Sequence, residues 1–437
     1  MDNPGIPFFT LLQMSVKPPI PQQIYDTIII LHEESTMKVL ITTDLYVTET
    51  NGVVTSVRNL REELVKLGHD VRILTLSGNL KSHKDGHVYY IKSIPFGMVY
   101  PDVRMPISYR NDLIQELIDW KPDVIHSQCE FFSFQFARRI SRKTGAPLVH
   151  TYHTLYEQYV PYLIPTKTLR KYLGKRISKK VVAVVSRKRL KNVDTVIAPT
   201  RKVEYSLRQY GLRGEIRVVP SGISIDKYQY RMSAEERSQR RQALGIPEDH
   251  QVLLNLGRLG TEKNLAELMT LFADLLKLHS KLTFLIVGDG PAKEDLQKQA
   301  NDLGISDHVI FTGMVPPSEV QNYYQLGDVF ISASTSETQG LTYIEAAANG
   351  LPLVCREDPC LDDVIEEGVN GYEYSATDEF LREISSVLED PHWRRTASRS
   401  SEEIAASFDK SCFAEKVEDI YEKALAEDGL SQDGPAE

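Results

Sequence analysis

Short β-branched runs alternate with longer stretches of helical period along most of the chain. The pattern begins at Met37, where Lys38-Val39-Leu40-Ile41-Thr42-Thr43-Asp44 reads as a strand with a polar end. In the first half it predicts strands over residues 38–43, 70–76, 123–127, 147–152, 194–198 and 215–219. Between the first two, Val53, Val57, Leu60, Leu64 and Leu67 recur at intervals of three and four and Gly68 supplies a stop, which predicts a helix. After the turn Val219-Pro220-Ser221-Gly222 and a charged stretch at 231–242, a second series has strands over 251–256, 282–287, 308–312, 328–332 and 352–355, each leading into a helix-like segment. This alternation builds parallel sheets covered by helices, so the fold class is α/β. It is expected as two doubly wound, Rossmann-like domains meeting near residues 220–228 and facing across an interdomain cleft. Open parallel sheets bind ligands beyond the carboxyl ends of their strands, which directs the search for chemistry to the loops there.

The ends of the 437-residue chain read differently. Residues 1–36 hold Lys17 but no Arg, are rich in Pro, and lack the basic-then-apolar order of a secretory signal; a disordered extension is expected. Residues 37–222 and 223–408 are the expected domains, with 409–425 a helix packing back on the first and 426–437 an acidic, solvated tail. With 41% hydrophobic and 25% charged residues, the composition argues against wholesale disorder, a collagen-like repeat and a polytopic membrane protein. No apolar run approaches the roughly 20 residues that span a bilayer. Cysteines at 129, 355, 360 and 412 form no CxxC pair and are too sparse for a disulfide scaffold, so free thiols, a reducing compartment and no structural zinc are expected.

Two loops carry candidate chemistry. After the strand ending at Gly257 comes Arg258-Leu259-Gly260-Thr261-Glu262-Lys263-Asn264, whose two cations at a strand end beside a helix start can clamp a diphosphate; a solvated pair of surface charges is the bland alternative. After the strand 328–332 comes Ala333 to Ala346. A helix starting at Gly340 would point free amides at the cleft and hold phosphate oxygens. Glu345, four residues beyond Leu341 and roughly 6 Å farther along the axis, suits a ribose hydroxyl pair, and Glu337 could accept from sugar hydroxyls; either glutamate could instead be an ordinary surface carboxylate. Gly288-Asp289-Gly290-Pro291 lacks the third glycine of a phosphate loop and reads as a turn after a strand. No Asp-x-Asp pair occurs, so a common carboxylate pair for a divalent ion is missing and no metal cofactor is expected.

The pair Glu337 and Glu345 in E-x7-E spacing, the Gly-Arg-Leu…Glu-Lys-Asn segment at 257–264, the Pro199-Thr200 segment and the Val219-Pro220-Ser221-Gly222 turn together resemble the retaining family 4 glycosyltransferases of the GT-B fold. The likeness covers residues 37 to about 425. Within the family, Thr43-Asp44…Asn51-Gly52-Val53-Val54-Thr55-Ser56, His126-Ser127…Glu130-Phe131 and Ser336 to Thr342 are most similar to bacterial diacylglycerol glucosyltransferases, with phosphatidylinositol mannosyltransferases close relatives. The resemblance implies transfer of a hexose, glucose from UDP-glucose, to a lipid hydroxyl. It implies that Arg258 and Lys263 neutralise the donor diphosphate, Glu345 holds the ribose, Glu337 with the backbone of Gln339, Gly340 and Leu341 orients the sugar, and the base lies near Met314 and Val315. From the first domain, Gly52 would let the backbone approach the donor and His153 would touch the transferred sugar. Read without the family, His153 is equally well a core histidine at a strand end.

From Val160 to Val193 there are eleven Lys or Arg residues and no Asp or Glu, which leaves −20 for the rest of a chain whose net charge is −9. Leu169, Leu173, Ile177, Val181 and Val185 recur at intervals of four beside these cations, a pattern that can lie on anionic lipid. Lys167, Arg170, Lys171, Lys175, Arg176, Lys179 and Lys180 are the candidate membrane contacts. Aromatic residues are not interleaved with the charges as base stacking requires, and nucleic acid is not expected as a partner. The expected partners are a nucleotide sugar, a lipid acceptor and an anionic membrane surface, with the protein cytoplasmic and attached to the inner face of the cell membrane. Two alternatives stay open: a soluble glycosyltransferase with a sugar or small-molecule acceptor, favoured by activity without lipid, and a non-catalytic protein that binds a nucleotide sugar or nucleic acid, favoured by binding without turnover.

Overall fold

The computed structural model of the chain describes residues 36–46, 51–96, 104–156 and 167–432, the side chains of 167–178 and 428–432 excepted. Residues 1–35 of the expected extension and 433–437 of the expected tail lie outside the described residues. The elements below belong to the unit that starts at Met37.

The first part of the chain gives β1 (Lys38–Thr42), α1 (Gly52–Lys66), β2 (Asp70–Leu76), β3 (His83–Asp85), β4 (Val88–Ile91), β5 (Ser93–Pro95), β6 (Arg104–Pro106) and α2 (Asp112–Trp120). It continues through β7 (Val124–Ser127), α3 (Phe132–Thr144), β8 (Leu148–Thr151), α4 (Lys167–Leu190), β9 (Thr195–Ala198), α5 (Arg201–Gln209) and β10 (Glu215–Val218). The second part begins with α6 (Ala234–Ala243), β11 (Gln251–Leu256), α7 (Leu265–Leu276), β12 (Leu282–Val287), α8 (Lys293–Asp302), β13 (Val309–Phe311) and α9 (Val320–Tyr324). It ends with β14 (Val329–Ser332), α10 (Leu341–Ala348), β15 (Leu353–Arg356), β16 (Gly371–Tyr374), α11 (Thr377–Glu389), α12 (Pro391–Ala406) and α13 (Lys410–Gln432).

The strands form two main sheets. The first runs β10-β9-β8-β7-β1-β2-β4-β3 and is parallel except for β3, which pairs antiparallel with β4. The second runs β13-β12-β11-β14-β15-β16 and is parallel throughout. In each, strand order reverses at one point, between β1 and β7 in the first and between β11 and β14 in the second. The crevice that a doubly wound sheet offers a ligand opens at such a reversal. The loops singled out in the second half of the sequence, after β11 and β14, flank one of these two places.

Alternation along β1 divides the first core. Leu40 packs with α2 and α3, through Ile114, Leu117, Phe134 and Ile140, while Val39 and Ile41 face α1 and the last helix. That last helix, α13, returns from the second part of the chain and buries Phe413, Val417, Ile420 and Tyr421 against Val57, Leu60 and Leu64 of α1. Burial of each large side chain stabilises by about 1.5–3 kcal/mol, so this docking fastens the two halves strongly. The two crossings between the halves run side by side, with Ile223 N bonded to Phe408 O at 2.9 Å and Lys410 N to Ile223 O at 2.9 Å. Gly222 is needed there because a Cβ would stand 2.6 Å from Lys410 Cα.

The helix α13 runs to Gln432, beyond residue 425 where the acidic composition suggests a solvated tail. Its last described buried residue is Ala424, and Leu425-Ala426-Glu427 are good helix formers that carry the helix past its packed face. The strands β3 to β6 and β16 were absent from the sequence expectation. They are three or four residues long, too short for a period to declare itself, and β3 is exposed throughout.

Candidate active site

Two helix starts meet at the reversal points. The helix α1 begins at Gly52 under Asn51, whose Oδ1 accepts from Val54 N at 2.9 Å. The helix α10 begins at Leu341 behind Gly340, which has φ +74° and where a Cβ would come within 2.4 Å of the Tyr343 ring. Among the described residues no side chain caps α10, so its first amides are left for another acceptor. Leu341 Cδ1 lies 3.4 Å from where a Cβ on Gly52 would stand, so the two starts face each other closely. Both line one cavity of about 420 Å³, within the size range of small-ligand sites. Two positive helix ends converging on one cavity suit an anion such as a diphosphate.

The charged groups are held in place before any ligand arrives. Lys263, on the turn Thr261–Lys263 after β11, forms an ion pair with the Glu337 carboxylate, and both line the cavity. Burial pushes the Glu337 carboxyl up, but the Lys263 ammonium, the Ser334 hydroxyl and Lys202 outweigh it and hold the group below its usual value. Arg258 pairs instead with Glu262 and is 40% exposed at its side chain. The Gly288-Asp289-Gly290 segment is the turn that supports this loop: Leu259 N donates to Asp289 O at 2.9 Å, and a Cβ on Gly290 would meet Leu259 O at 2.5 Å.

His153, just past β8, lines the cavity from the first sheet. Its Nε2 lies 2.7 Å from Gln128 Oε1, and burial, with His150 nearby, drives its pKa down to about 3. The imidazole is therefore neutral at physiological pH and interacts through hydrogen bonds. Gln339 lines the same cavity while its side-chain amide is spent on the backbone of Ser221, accepting from N and donating to O, each at 2.9 Å.

Gly52, His153, Lys263, Glu337, Gln339, Gly340 and Leu341 are thus brought to one cavity, whereas Arg258, Met314, Val315 and Glu345 lie outside its lining. Glu345, one turn into α10, has Oε2 2.8 Å from the Tyr324 hydroxyl. Burial raises its pKa against the opposing hydrogen bonds from Tyr324 and Tyr228. Met314 follows β13 and is 79% exposed, while Val315 packs at the margin of a core cluster of the second half.

Several cavity residues were not singled out as site candidates from sequence. Asp44 lies two residues past β1, its Oδ1 accepting from Ser133 N at 2.6 Å and so closing the start of α3. Burial pushes its carboxyl from 3.8 up to about 6, against the pull of the Ser133 hydrogen bonds. The folded protein therefore holds this proton to higher pH than the unfolded chain, and the contribution of Asp44 to stability should fall as pH rises from about 4 to about 6. Asp44→Asn is expected to flatten that decline and to add up to about 3 kcal/mol at neutral pH, read by urea unfolding across the range; an unchanged pH slope would remove the assignment. Tyr156, whose hydroxyl bonds to the Glu130 carboxylate, also lines the cavity. The position of Asp44 at a strand end by the sheet reversal is the signal that could have drawn it out.

The helix α4 carries the basic segment. Val182, Ser186 and Leu190 are buried, while Val181, Val184 and Val185 are 48%, 54% and 45% exposed beside exposed Lys179, Lys180, Arg187 and Lys188. The described end of the expected apolar stripe thus faces outward, one residue away from the face that docks. Lys167, Arg170, Lys171, Lys175 and Arg176 lie on the same helix, with their side chains outside the described residues.

Among the described residues no helix is long and apolar enough to cross a membrane, and no three His, Cys, Asp or Glu side chains gather as metal ligands would. All four cysteines are unpaired.

Residues 50–227 match the family described as Glycosyltransferase Family 4, and residues 236–404 match Glycosyl transferases group 1. The chain is 35% identical over 401 residues to the alpha-monoglucosyldiacylglycerol synthase of Streptococcus pneumoniae, covering 91% of this chain and 88% of that protein. It is 31% identical over 391 residues to the enzyme of the same name from Acholeplasma laidlawii, covering 88% and 96%. Among solved structures, Anabaena HepE in complex with UDP-glucose superposes with a TM-score of 0.67 at 19% identity, covering 89% of this chain and all of that one. With its two doubly wound halves and this match along most of its length, the chain belongs to the family 4 glycosyltransferases of the GT-B fold and is similar to diacylglycerol glucosyltransferases.

Proposed function

We propose that the protein transfers glucose from UDP-glucose to the hydroxyl of a membrane lipid such as 1,2-diacylglycerol, with retention, forming an α-glycolipid. The observation that carries this reading is the convergence of two helix N-termini, Lys263 and Glu337 on one cavity at the sheet reversals. The two alpha-monoglucosyldiacylglycerol synthases among its relatives support the lipid acceptor, and the UDP-glucose complex of HepE supports the donor class.

In this reading residues 37–222 form the acceptor and membrane-binding domain and residues 223–408 the donor domain, with 409–425 closing back on the first. Lys263, Arg258 and the amides at Gly340 and Leu341 take the diphosphate, with Gly52 admitting it from the opposite side. Glu337 and the backbone at Gln339 orient the sugar, and His153 donates or accepts a hydrogen bond at a sugar hydroxyl. Glu345 holds the ribose, once the ribose hydroxyls replace part of its tyrosine bonding, and Met314 and Val315 flank the base. The acceptor hydroxyl attacks the anomeric carbon on the face from which the diphosphate leaves; the carbon–phosphate oxygen bond breaks, and the departing phosphate takes the acceptor's proton. The exposed face of α4 seats the protein on the inner leaflet of the cell membrane.

The test is a radiolabelled-sugar assay over UDP-, GDP- and ADP-linked hexoses with diacylglycerol in vesicles. Transfer is expected to persist in EDTA, because the cationic side chains and helix ends supply the charge that a metal ion otherwise would. The product should be α-linked by NMR. Loss of activity in EDTA, restored by Mg²⁺ or Mn²⁺, would overturn the metal claim, and a β-linked product the stereochemistry. Efficient transfer to water-soluble acceptors without vesicles would make the protein a soluble transferase.

A further inference from the structure

Lys202 stands on α5, among the elements of the first sheet, yet its ammonium reaches across to the second. It donates to Thr335 O at 3.0 Å, to Glu337 O at 2.9 Å, and to both oxygens of Asp358 at 2.8 and 2.6 Å. Asp358 follows β15 and its side chain is 4% exposed, against 14% for Lys202, so the pair is almost dry. An ammonium has three protons to give, and here they serve one carboxylate and two carbonyls of one loop. A desolvated ion pair adds little net stability, and fixing one arrangement over others is its best-attested use.

Two other contacts tie the same loop to the first half of the chain. Thr200 Oγ1 donates to Thr338 O at 2.8 Å, and Gln339 pairs both ways with the Ser221 backbone. Residues 335–339 are therefore fastened at three places to the domain opposite their own. They also carry the Glu337 carboxylate and lead into the open amides of α10. Any change in how the loop sits moves these groups relative to His153 and the first-domain wall of the cavity.

We propose that Lys202, anchored by Asp358, is a positioning residue for transfer: it clips the 335–339 loop across the cleft and so sets Glu337, with the sugar it orients, against the first-domain side of the cavity. The proposal rests on the donor-site reading given above. Lys202 itself touches no donor atom in this scheme, so its loss should affect the transfer step more than donor affinity.

The experiment compares the full-length parent with Lys202→Met, Asp358→Asn and the double variant. The double variant removes both charges, so it can fold even where Lys202→Met leaves Asp358 buried and unpaired. With UDP as the probe in titration calorimetry, the double variant should keep affinity within about 3-fold. With UDP-glucose and diacylglycerol vesicles its kcat should fall about 10²-fold, the scale set by misplacement of reacting groups of about 1 Å. Asp358→Asn, which keeps the bonds from Lys202 to the carbonyls, should lose less. Amide exchange over residues 334–341 should quicken in the double variant while the sheets stay protected. Unchanged kcat, or a loss lying wholly in UDP affinity, would overturn the proposal. Should the parent transfer no sugar at all, the functional reading fails by itself, and the exchange arm still decides the clip: equal protection of the loop in parent and double variant would refute it.

Discussion

Lys263→Ala is expected to lower kcat/KM for the sugar donor at least about 10²-fold, since a cation already aimed at developing charge contributes on that scale; Arg258→Ala should do likewise, its guanidinium exchanging Glu262 for the diphosphate when the donor binds. Negative charge grows on the diphosphate as the glycosidic bond breaks, and a cation held ready avoids reorganisation at that moment. Lys263 is so held: it sits in the cavity lining and is paired with a largely buried Glu337. Its removal has a second consequence that separates this account from simple damage. Glu337 lies below its usual value because Lys263 overrides the burial that would raise it. In Lys263→Ala that carboxyl should rise, so the acid limb of the rate profile should move to higher pH, whereas Arg258, paired with Glu262, should leave that limb where it is. Steady-state kinetics over pH on variants shown to be folded by circular dichroism make the measurement. Near-parent turnover in both variants would remove the cationic clamp.

What could be read from sequence follows from which forces are local. Predicted strands such as 70–76, 251–256 and 282–287 coincide with β2, β11 and β12 because a strand covered on both faces is mostly apolar along a short run, which is visible in one dimension. The E-x7-E spacing could be seen because Glu337 and Glu345 share one loop and helix. Glu345 none the less makes its hydrogen bonds to Tyr324 and, through a second tyrosine, Tyr228, neither of which any periodicity links to it. Lys202 and Asp358 are 156 residues apart and meet only because two separately folded sheets face each other. The outward stripe at Val181 and Val185 could be read from its period, whereas the docking face through Val182, Ser186 and Leu190 could not, since Val181, Val182, Val184 and Val185 are equally apolar and only the neighbouring core selects Val182. Short edge strands such as β3, exposed at every residue, leave no hydrophobic pattern to read.

The outward face of α4 and the turn just past its end yield the other large effect: Lys179→Ser, Lys180→Ser, Lys188→Ser and Lys191→Ser together should release the protein from phosphatidylglycerol vesicles while UDP affinity stays unchanged. All four lysines are exposed, and the helix is already anchored to its own domain by Val182, Ser186 and Leu190, so the substitutions touch no packing. At about 1 kcal/mol per cation near an anionic surface, four of them amount to about 4 kcal/mol, or roughly 10³-fold in partitioning. This attraction is local. The −20 carried by the rest of the chain is spread over the remaining sequence, and beyond a Debye length of about 8 Å at physiological salt it is largely screened. Val181, Val184 and Val185 lie among these cations with their side chains in water, and entry into the headgroup boundary would bury them. Binding of the parent should therefore weaken with salt yet retain an apolar remainder, and Val184→Asp should reduce that remainder without lowering the melting temperature. Sedimentation with phosphatidylglycerol and with phosphatidylcholine vesicles, at low and high salt, reads both contributions. Equal sedimentation of the lysine variant and the parent, or no binding of the parent at low salt, would detach the basic helix from the membrane and with it the argument that the acceptor hydroxyl is presented at a lipid surface.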